Sequence, residues 1–362
     1  MNKVRATILQ GDVLERLRNL RSGSVNLIVT SPPYFNARMY CEDAVRLSAT
    51  ADEATRKKCK RLKLNGVVSR SAVPADLEDH FVPAEIGMEA TPTSYLKMLI
   101  RVFREAKRVL RDDGSMYINI GDSYCSINGF ERASARFKRS DSIGAKANTR
   151  SMKTLRADGF LEKSLFLLPW RLGIALHDEL RFLIRAEIIW YKPNAQPSVV
   201  KDRVSTAHET ILHCVKRKQY FYDYEGSLEP GVTTKKRNRR SVWEIPVTKY
   251  RKKHIAPFPY ELAEIPILST TKPGDTVLDV FSGSGTTGIV SLALGRSYIG
   301  IELNPESVAE QKQRLQEERF NSAEYTLKWK KSKRFASAFT AVTKCKTKRE
   351  AKPIEGRHRG RK

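Results

Sequence analysis

Asp279-Val280-Phe281-Ser282-Gly283-Ser284-Gly285-Thr286-Thr287-Gly288 is the stretch that decides the fold. Residues Thr276–Phe281 read as a strand and Thr286–Leu294 as a helix. Between them Gly283, Gly285 and Gly288 fit G-x-G-x-x-G. Such a turn lets a ligand approach the backbone where the first N–H groups of a helix have no partner within it. The next predicted strand, Ser297–Glu302, ends on an acid that can accept hydrogen bonds from ribose hydroxyls. Strand, glycine turn, helix, strand and acid predict a nucleoside-containing cofactor in a parallel α/β sheet. The glycines alone do not choose among such cofactors.

A second stretch, Thr30-Ser31-Pro32-Pro33-Tyr34, ends the apolar run Val25–Val29, the pattern of a central strand covered on both faces. The Ser31 hydroxyl and the Pro32 carbonyl can accept hydrogen bonds from an amino group, and Tyr34 offers a flat face for a base. An aromatic amine needs this treatment because its lone pair is delocalised into the ring. Accepting its protons makes the nitrogen more tetrahedral and more nucleophilic, and stacking fixes its direction of attack. Both motifs must then meet in one cleft, although about two thirds of the chain separates them.

The remaining pattern is βα grammar. Val4–Gln10 reads as a strand, Val13–Leu20 as a helix, Pro92–Leu110 as an amphipathic helix stopped by Asp112-Asp113-Gly114, and Ser115–Ile120 as a strand. A helix is predicted near Leu165–Leu180, strands near Phe182–Tyr191 and Glu209–Val215, and a final helix from the Asn304-Pro305 cap to about Phe320. Residues 41–90 and 122–160 look like irregular basic insertions, and 216–253 is a third basic stretch centred on Lys235, Lys236, Arg237, Asn238, Arg239 and Arg240. From about Lys328 the tail is basic and poor in large apolar residues. The expected organisation is a catalytic domain over residues 1–320 and a basic, mobile tail over 321–362.

The chain has 66 Lys plus Arg against 40 Asp plus Glu, a net charge of +26. That balance favours a polyanionic partner, above all nucleic acid. The five cysteines, Cys41, Cys59, Cys125, Cys214 and Cys345, show no CxxC pair, so neither a zinc site nor a disulfide framework is indicated and no metal is expected. No run approaches the length of a membrane span, which predicts a cytoplasmic protein.

At this point the chain resembles the amino-directed DNA methyltransferases that use S-adenosylmethionine, in the permuted beta order where the catalytic motif precedes the cofactor motif. Further matches are Leu168-Pro169-Trp170-Arg171-Leu172, Ile189-Trp190-Tyr191-Lys192-Pro193-Asn194, Asp202-Arg203 with His208-Glu209, Ser241-Val242-Trp243-Glu244-Ile245-Pro246 and His254-Ile255-Ala256-Pro257-Phe258-Pro259. The resemblance implies a circularly permuted Rossmann-like fold: a mixed seven-stranded sheet with helices on both faces, plus basic DNA-recognition insertions. It assigns Ser31, Pro32, Pro33 and Tyr34 to catalysis. Asp279, Phe281, Gly283, Gly285 and Thr286 would line the methionine side of the cofactor pocket, with Thr30 counted beside them. Glu302 would hold the ribose, Phe258 would close the pocket and Asp12 would meet the adenine region. The basic cluster Lys235–Arg240 would bind DNA, with base flipping bringing the target into the site.

Ser before Pro-Pro-Tyr resembles the cytosine-N4 enzymes, whereas Asp or Asn there accompanies adenine N6. Either side chain accepts a hydrogen bond, so adenine N6 remains open. Cytosine C5 chemistry needs a cysteine after a proline, and no Pro-Cys occurs. The expectation is a sequence-specific duplex-DNA methyltransferase, part of or derived from a restriction-modification system whose nuclease would act separately. Methylation of RNA or protein glutamine, and a non-catalytic nucleic-acid-binding scaffold, are the competing readings.

Overall fold

The computed structural model describes residues 4–35, 44–47, 51–64, 67–69, 72–125, 152–198, 200–230, 236–247 and 259–320. Residues 1–314 form one compact unit, and a second unit, 315–362, is described through residue 320. The strands are β1 (Ala6–Gln10), β2 (Val25–Thr30), β3 (Ala44–Leu47), β4 (Val67–Ser69), β5 (Phe81–Pro83), β6 (Leu110–Ile120), β7 (Leu183–Tyr191), β8 (His208–Val215), β9 (Val242–Glu244), β10 (Thr276–Asp279) and β11 (Ser297–Glu302). The helices are α1 (Val13–Arg18), α2 (Glu53–Arg61), α3 (Pro92–Val109), α4 (Met152–Ala157), α5 (Leu168–Asp178), α6 (Tyr224–Ser227), α7 (Tyr260–Thr270), α8 (Thr286–Ala293) and α9 (Pro305–Phe320).

The large sheet runs β1-β11-β10-β2-β6-β8-β7-β9. Its first five strands are mutually parallel, β8 is antiparallel to both β6 and β7, and β9 is parallel to β7. From β10 the chain winds outward through α8 to β11, and from β2 it winds the other way through α3 to β6. The order reverses between β10 and β2, and a doubly wound sheet opens a crevice at that point.

Local sequence accounts for these elements. Val25, Leu27 and Ile28 are fully buried, as a strand covered on both faces requires. Val25 and Ile28 join the core that α1, α3 and α5 build on one face, while α7 packs on β2 and β6. Asp12 caps α1 by accepting from Leu14 N at 2.9 Å and Glu15 N at 3.1 Å. Thr91 caps α3, Pro92 occupies its first turn, and Tyr95, Leu99, Val102, Phe103, Ala106 and Val109 form its buried stripe.

The structure corrects the sequence reading in three places. The sheet has eight strands rather than seven. The additional one, β9, is three residues long, too short for alternation to reveal, and it pairs through Ile189↔Val242 to Tyr191↔Glu244. Part of the insertion at 41–90 is ordered as a β4-β3-β5 sheet with α2, around Val45, Cys59, Leu64, Leu77 and Phe81. Those apolar residues are too widely spaced for any helical or strand period. Finally, Asp112-Asp113-Gly114 is an irregularity within β6 rather than a stop before it. The partners of Val25 and Leu27 are Leu110 and Ser115, so Arg111–Gly114 loop out of register. No described helix is long and apolar enough to cross a membrane.

Candidate active site

At the C-terminal ends of β10, β2, β11 and β6 lies a cleft of about 400 Å³. Gly11–Val13, Phe281–Ser284, Thr286 and Ile301–Asn304 line one half. Ser31–Tyr34, Ala84–Ile86, Asn119, Trp190, Lys192, Glu209 and Val247 line the other. The glycine loop and the Pro-Pro loop therefore share one cavity.

In the first half, Gly283 (φ +48°) and Gly285 (φ +82°) take left-handed conformations, which glycine adopts without the clash a side chain brings. A Cβ on Gly285 would lie 2.4 Å from Gln311 Cγ. Gln311 and Arg314 of α9 brace the loop from behind. Gln311 donates to Ser282 Oγ at 2.8 Å and Gly283 O at 3.1 Å, and Arg314 to Ser284 O at 2.7 Å. Glu302 faces the loop, its Oε2 accepting from Gly283 N and its Oε1 from Asn304 N, both at 2.8 Å. Burial raises its pKa, and those two amide bonds oppose the rise. Each carboxylate oxygen keeps a second lone pair beyond these bonds.

Asp279 joins the halves. It is 1% exposed and accepts from Thr30 Oγ1 at 2.8 Å, Thr287 Oγ1 at 2.7 Å and Phe281 N at 3.1 Å. Burial pushes its pKa up to about 6, against the pull of those bonds. Its carboxylate thus ties β2, β10 and α8 together. Thr30 and Gly285 support the cleft from behind, whereas Asp12, Phe281, Gly283, Thr286 and Glu302 face it. Asp12 also pairs with Arg46 of β3 at 3.9 Å, which ties the small sheet to the cleft.

In the second half, the register sets Thr30 of β2 beside Ile118 of β6, so Ser31 follows beside Asn119. Asn119 Nδ2 lies 3.4 Å from Ser31 Oγ, 2.9 Å from Tyr34 Oη and 2.8 Å from Glu209 Oε2. Tyr34 Oη donates to the same Glu209 oxygen at 2.5 Å, and Tyr95 Oη donates to Pro33 O at 2.9 Å. Burial, then the Glu209 charge, raises the Tyr34 pKa, so the phenol remains a donor. Lys192 donates to Glu209 Oε1 and stands 4.3 Å above the Trp190 ring. Beneath the Tyr34 ring, only glycine fits at position 121, since a Cβ there would be 2.7 Å from Cε2.

Phe258 and Lys235 lie outside the described residues, as do 126–151 of the second insertion and the tail from 321. Of the expected DNA-binding cluster, Lys236, Asn238 and Arg240 are exposed. Arg237 and Arg239 turn inward to Glu229, at 3.0 and 3.5 Å. Among the described residues, none of Lys236–Arg240 lines the cleft. Sequence reasoning passed over Asn119, Lys192, Trp190 and Glu209 as site residues. Two signals were present: a lone polar residue in the apolar run Tyr117–Ile120, and an acid opening the apolar strand β8.

Residues 25–313 match the N6/N4 DNA methylase family. The chain belongs to that family. Among similar proteins, type II methyltransferase M.Cfr9I of Citrobacter freundii is 38% identical over 316 residues, covering 87% of this chain and 89% of that one. Type II methyltransferase M.SmaI of Serratia marcescens is 36% identical over 310 residues, covering 85% and 90% respectively. Among solved structures, PvuII DNA methyltransferase (cytosine-N4-specific) superposes with a TM-score of 0.55 at 20% identity over 86% of each chain, a likeness of fold. This DNA methylase therefore carries its two motifs in the order seen in the chain, on the doubly wound sheet described above.

Proposed function

We propose that this methylase transfers a methyl group from S-adenosylmethionine to the exocyclic N4 amine of cytosine in duplex DNA. The observation that carries the reading is the shared cleft, with Ser31–Tyr34 opposite the glycine loop and Glu302. The residues present suit the cofactor. The left-handed Gly283 leaves open space against the backbone, α8 begins at the loop, and Glu302 retains lone pairs for hydroxyls. Gly283, Thr286, Glu302 and Asp12 would hold it, with Phe258 closing over it. When bound, the cofactor supplies an electrophilic methyl carbon on sulfonium.

The chain's own residues prepare the amine. Ser31 Oγ and the Pro32 carbonyl accept its hydrogens and turn the lone pair out of the ring plane, while Tyr34 stacks against the base. An amine held in this way would take the methyl carbon that the bound cofactor would supply, its proton then passing to solvent. No covalent bond to the protein is needed.

Duplex DNA must yield the base by extrusion, at a cost of a few kcal/mol. Phosphate contacts from exposed cations such as Lys236 and Arg240 offset it. Kinship with type II methyltransferases supports a role beside a separately acting restriction nuclease. Serine before Pro-Pro-Tyr favours cytosine N4. Nucleoside digestion and mass spectrometry of DNA from expressing cells test it: N4-methylcytosine is expected, and N6-methyladenine in its place would establish the runner-up.

A further inference from the structure

We propose that Glu209 is a positioning residue of methyl transfer, holding the Tyr34 ring and the Ser31 hydroxyl in place through one shared carboxylate. The inference rests on assigning Ser31–Tyr34 to the base side of the cleft. Glu209 belongs to β8, Tyr34 to the loop after β2, Asn119 to β6 and Lys192 to the residue after β7. Residues from three other places on the sheet thus converge on one acid of β8. Its Oε2 accepts from Tyr34 Oη at 2.5 Å and from Asn119 Nδ2 at 2.8 Å, while Oε1 accepts from Lys192.

The arrangement fixes each partner's direction. A phenol that donates to a carboxylate cannot pivot freely, so the plane of the Tyr34 ring is set from its far end. Gly121 closes on the ring edge. The carboxylate also settles the Asn119 amide, since only its Nδ2 side can face an acceptor; that side then reaches Ser31 Oγ at 3.4 Å. One lone pair of Ser31 Oγ is thereby engaged, leaving the other for the amine. Lys192 holds the other carboxylate oxygen from the opposite side, so both oxygens of the acid are fixed. Glu209 touches no reacting atom; it acts through Tyr34 and Asn119.

The test is a double-mutant cycle on the full chain, reading kcat and KM for transfer of labelled methyl to duplex DNA. Cofactor affinity by calorimetry is the control on folding. Glu209→Ala and Tyr34→Phe are each expected to lower kcat by about 100-fold, the scale of a misplacement of about 1 Å. Cofactor Kd should stay within about twofold. Because both changes break one contact, the double variant should fall no more than about threefold below Glu209→Ala alone. Glu209→Gln, which keeps an acceptor for Tyr34, should recover part of the loss.

Losses that multiply in the double variant would overturn the proposal, as would a wild-type kcat in Glu209→Ala. If Glu209→Ala also loses cofactor binding, Glu209→Leu, which breaks the same contact while keeping side-chain bulk, carries the same cycle with Tyr34→Phe. Failure of the underlying site assignment reads differently: Tyr34→Ala would then turn over at the wild-type rate. Tyr34→Ala slow with Glu209→Ala unaffected would sink only the present inference.

Discussion

On the proposed reading Tyr34 stacks on the target base, while its hydroxyl is held by Glu209 and Asn119 at the cleft. Tyr34→Ala should therefore abolish turnover while cofactor Kd changes by less than about threefold, because the glycine loop is built independently. Labelled-methyl transfer and calorimetry read the two quantities, and a large loss of cofactor affinity would argue against the role. Glu302→Ala should behave the opposite way. It removes both the proposed ribose acceptor and the brace on Gly283 N, so cofactor affinity should fall by about 10-fold or more, with DNA binding at saturating cofactor retained. Undiminished affinity would reject the ribose assignment.

Asp279 supplies a pH prediction at the same scale. Its folded pKa of about 6 stands above the ordinary 3.8, so the folded state binds this proton more tightly than the unfolded one. Stability from this group is gained as pH falls through about 6 and lost as pH rises through it, a swing of about 3 kcal/mol. The Glu302 shift has the same sign. The Tm difference, wild type minus Asp279→Asn, should thus be larger at about pH 5 than at about pH 7.5. A constant difference would mean the buried carboxylate carries no such cost.

At the scale of elements, α8 lies so close on β11 that position 288 tolerates no side chain. A Cβ there would meet the Tyr298 ring at 2.5 Å. Gly288→Ala should lower stability by about 1–3 kcal/mol, read as Tm, and weaken cofactor binding because α8 carries the loop. An unchanged Tm would show that Tyr298 can move aside. Elements also show what the sequence makes legible. β2, β10, α8 and β11 follow from continuous apolar runs and a glycine turn, all local signals. β9 and the β3–β5 sheet do not, because strands of three or four residues show no period and depend on partners far along the chain. Helix α7 was likewise missed, with Pro266 in its interior and little amphipathic contrast. The site divides the same way. Ser31–Tyr34 and Gly283–Thr286 can be read from contiguous motifs. Glu209 and Asn119 gain meaning only when the register of β6 with β2 and β8 brings them to Tyr34.

At the scale of the whole molecule, a charge of +26 far exceeds what solubility needs. DNA affinity should accordingly fall by about 1,000-fold or more between about 50 and about 200 mM salt, while cofactor affinity stays nearly constant. Titrations of each ligand across that range provide the check; a shallow slope would mean that few phosphates are contacted.

The hydrogen bond between Thr30 and Asp279 spans 249 positions of sequence at the centre of the sheet. During synthesis on the ribosome, β2 emerges long before β10, its neighbour in the finished molecule. Until then one edge of the deeply buried β2 has no partner, and closing so distant a contact is slow. The centre of the sheet thus closes only once β10 has emerged. A nascent chain interrupted ahead of β10 would present an open strand edge to chaperones or to other copies of itself.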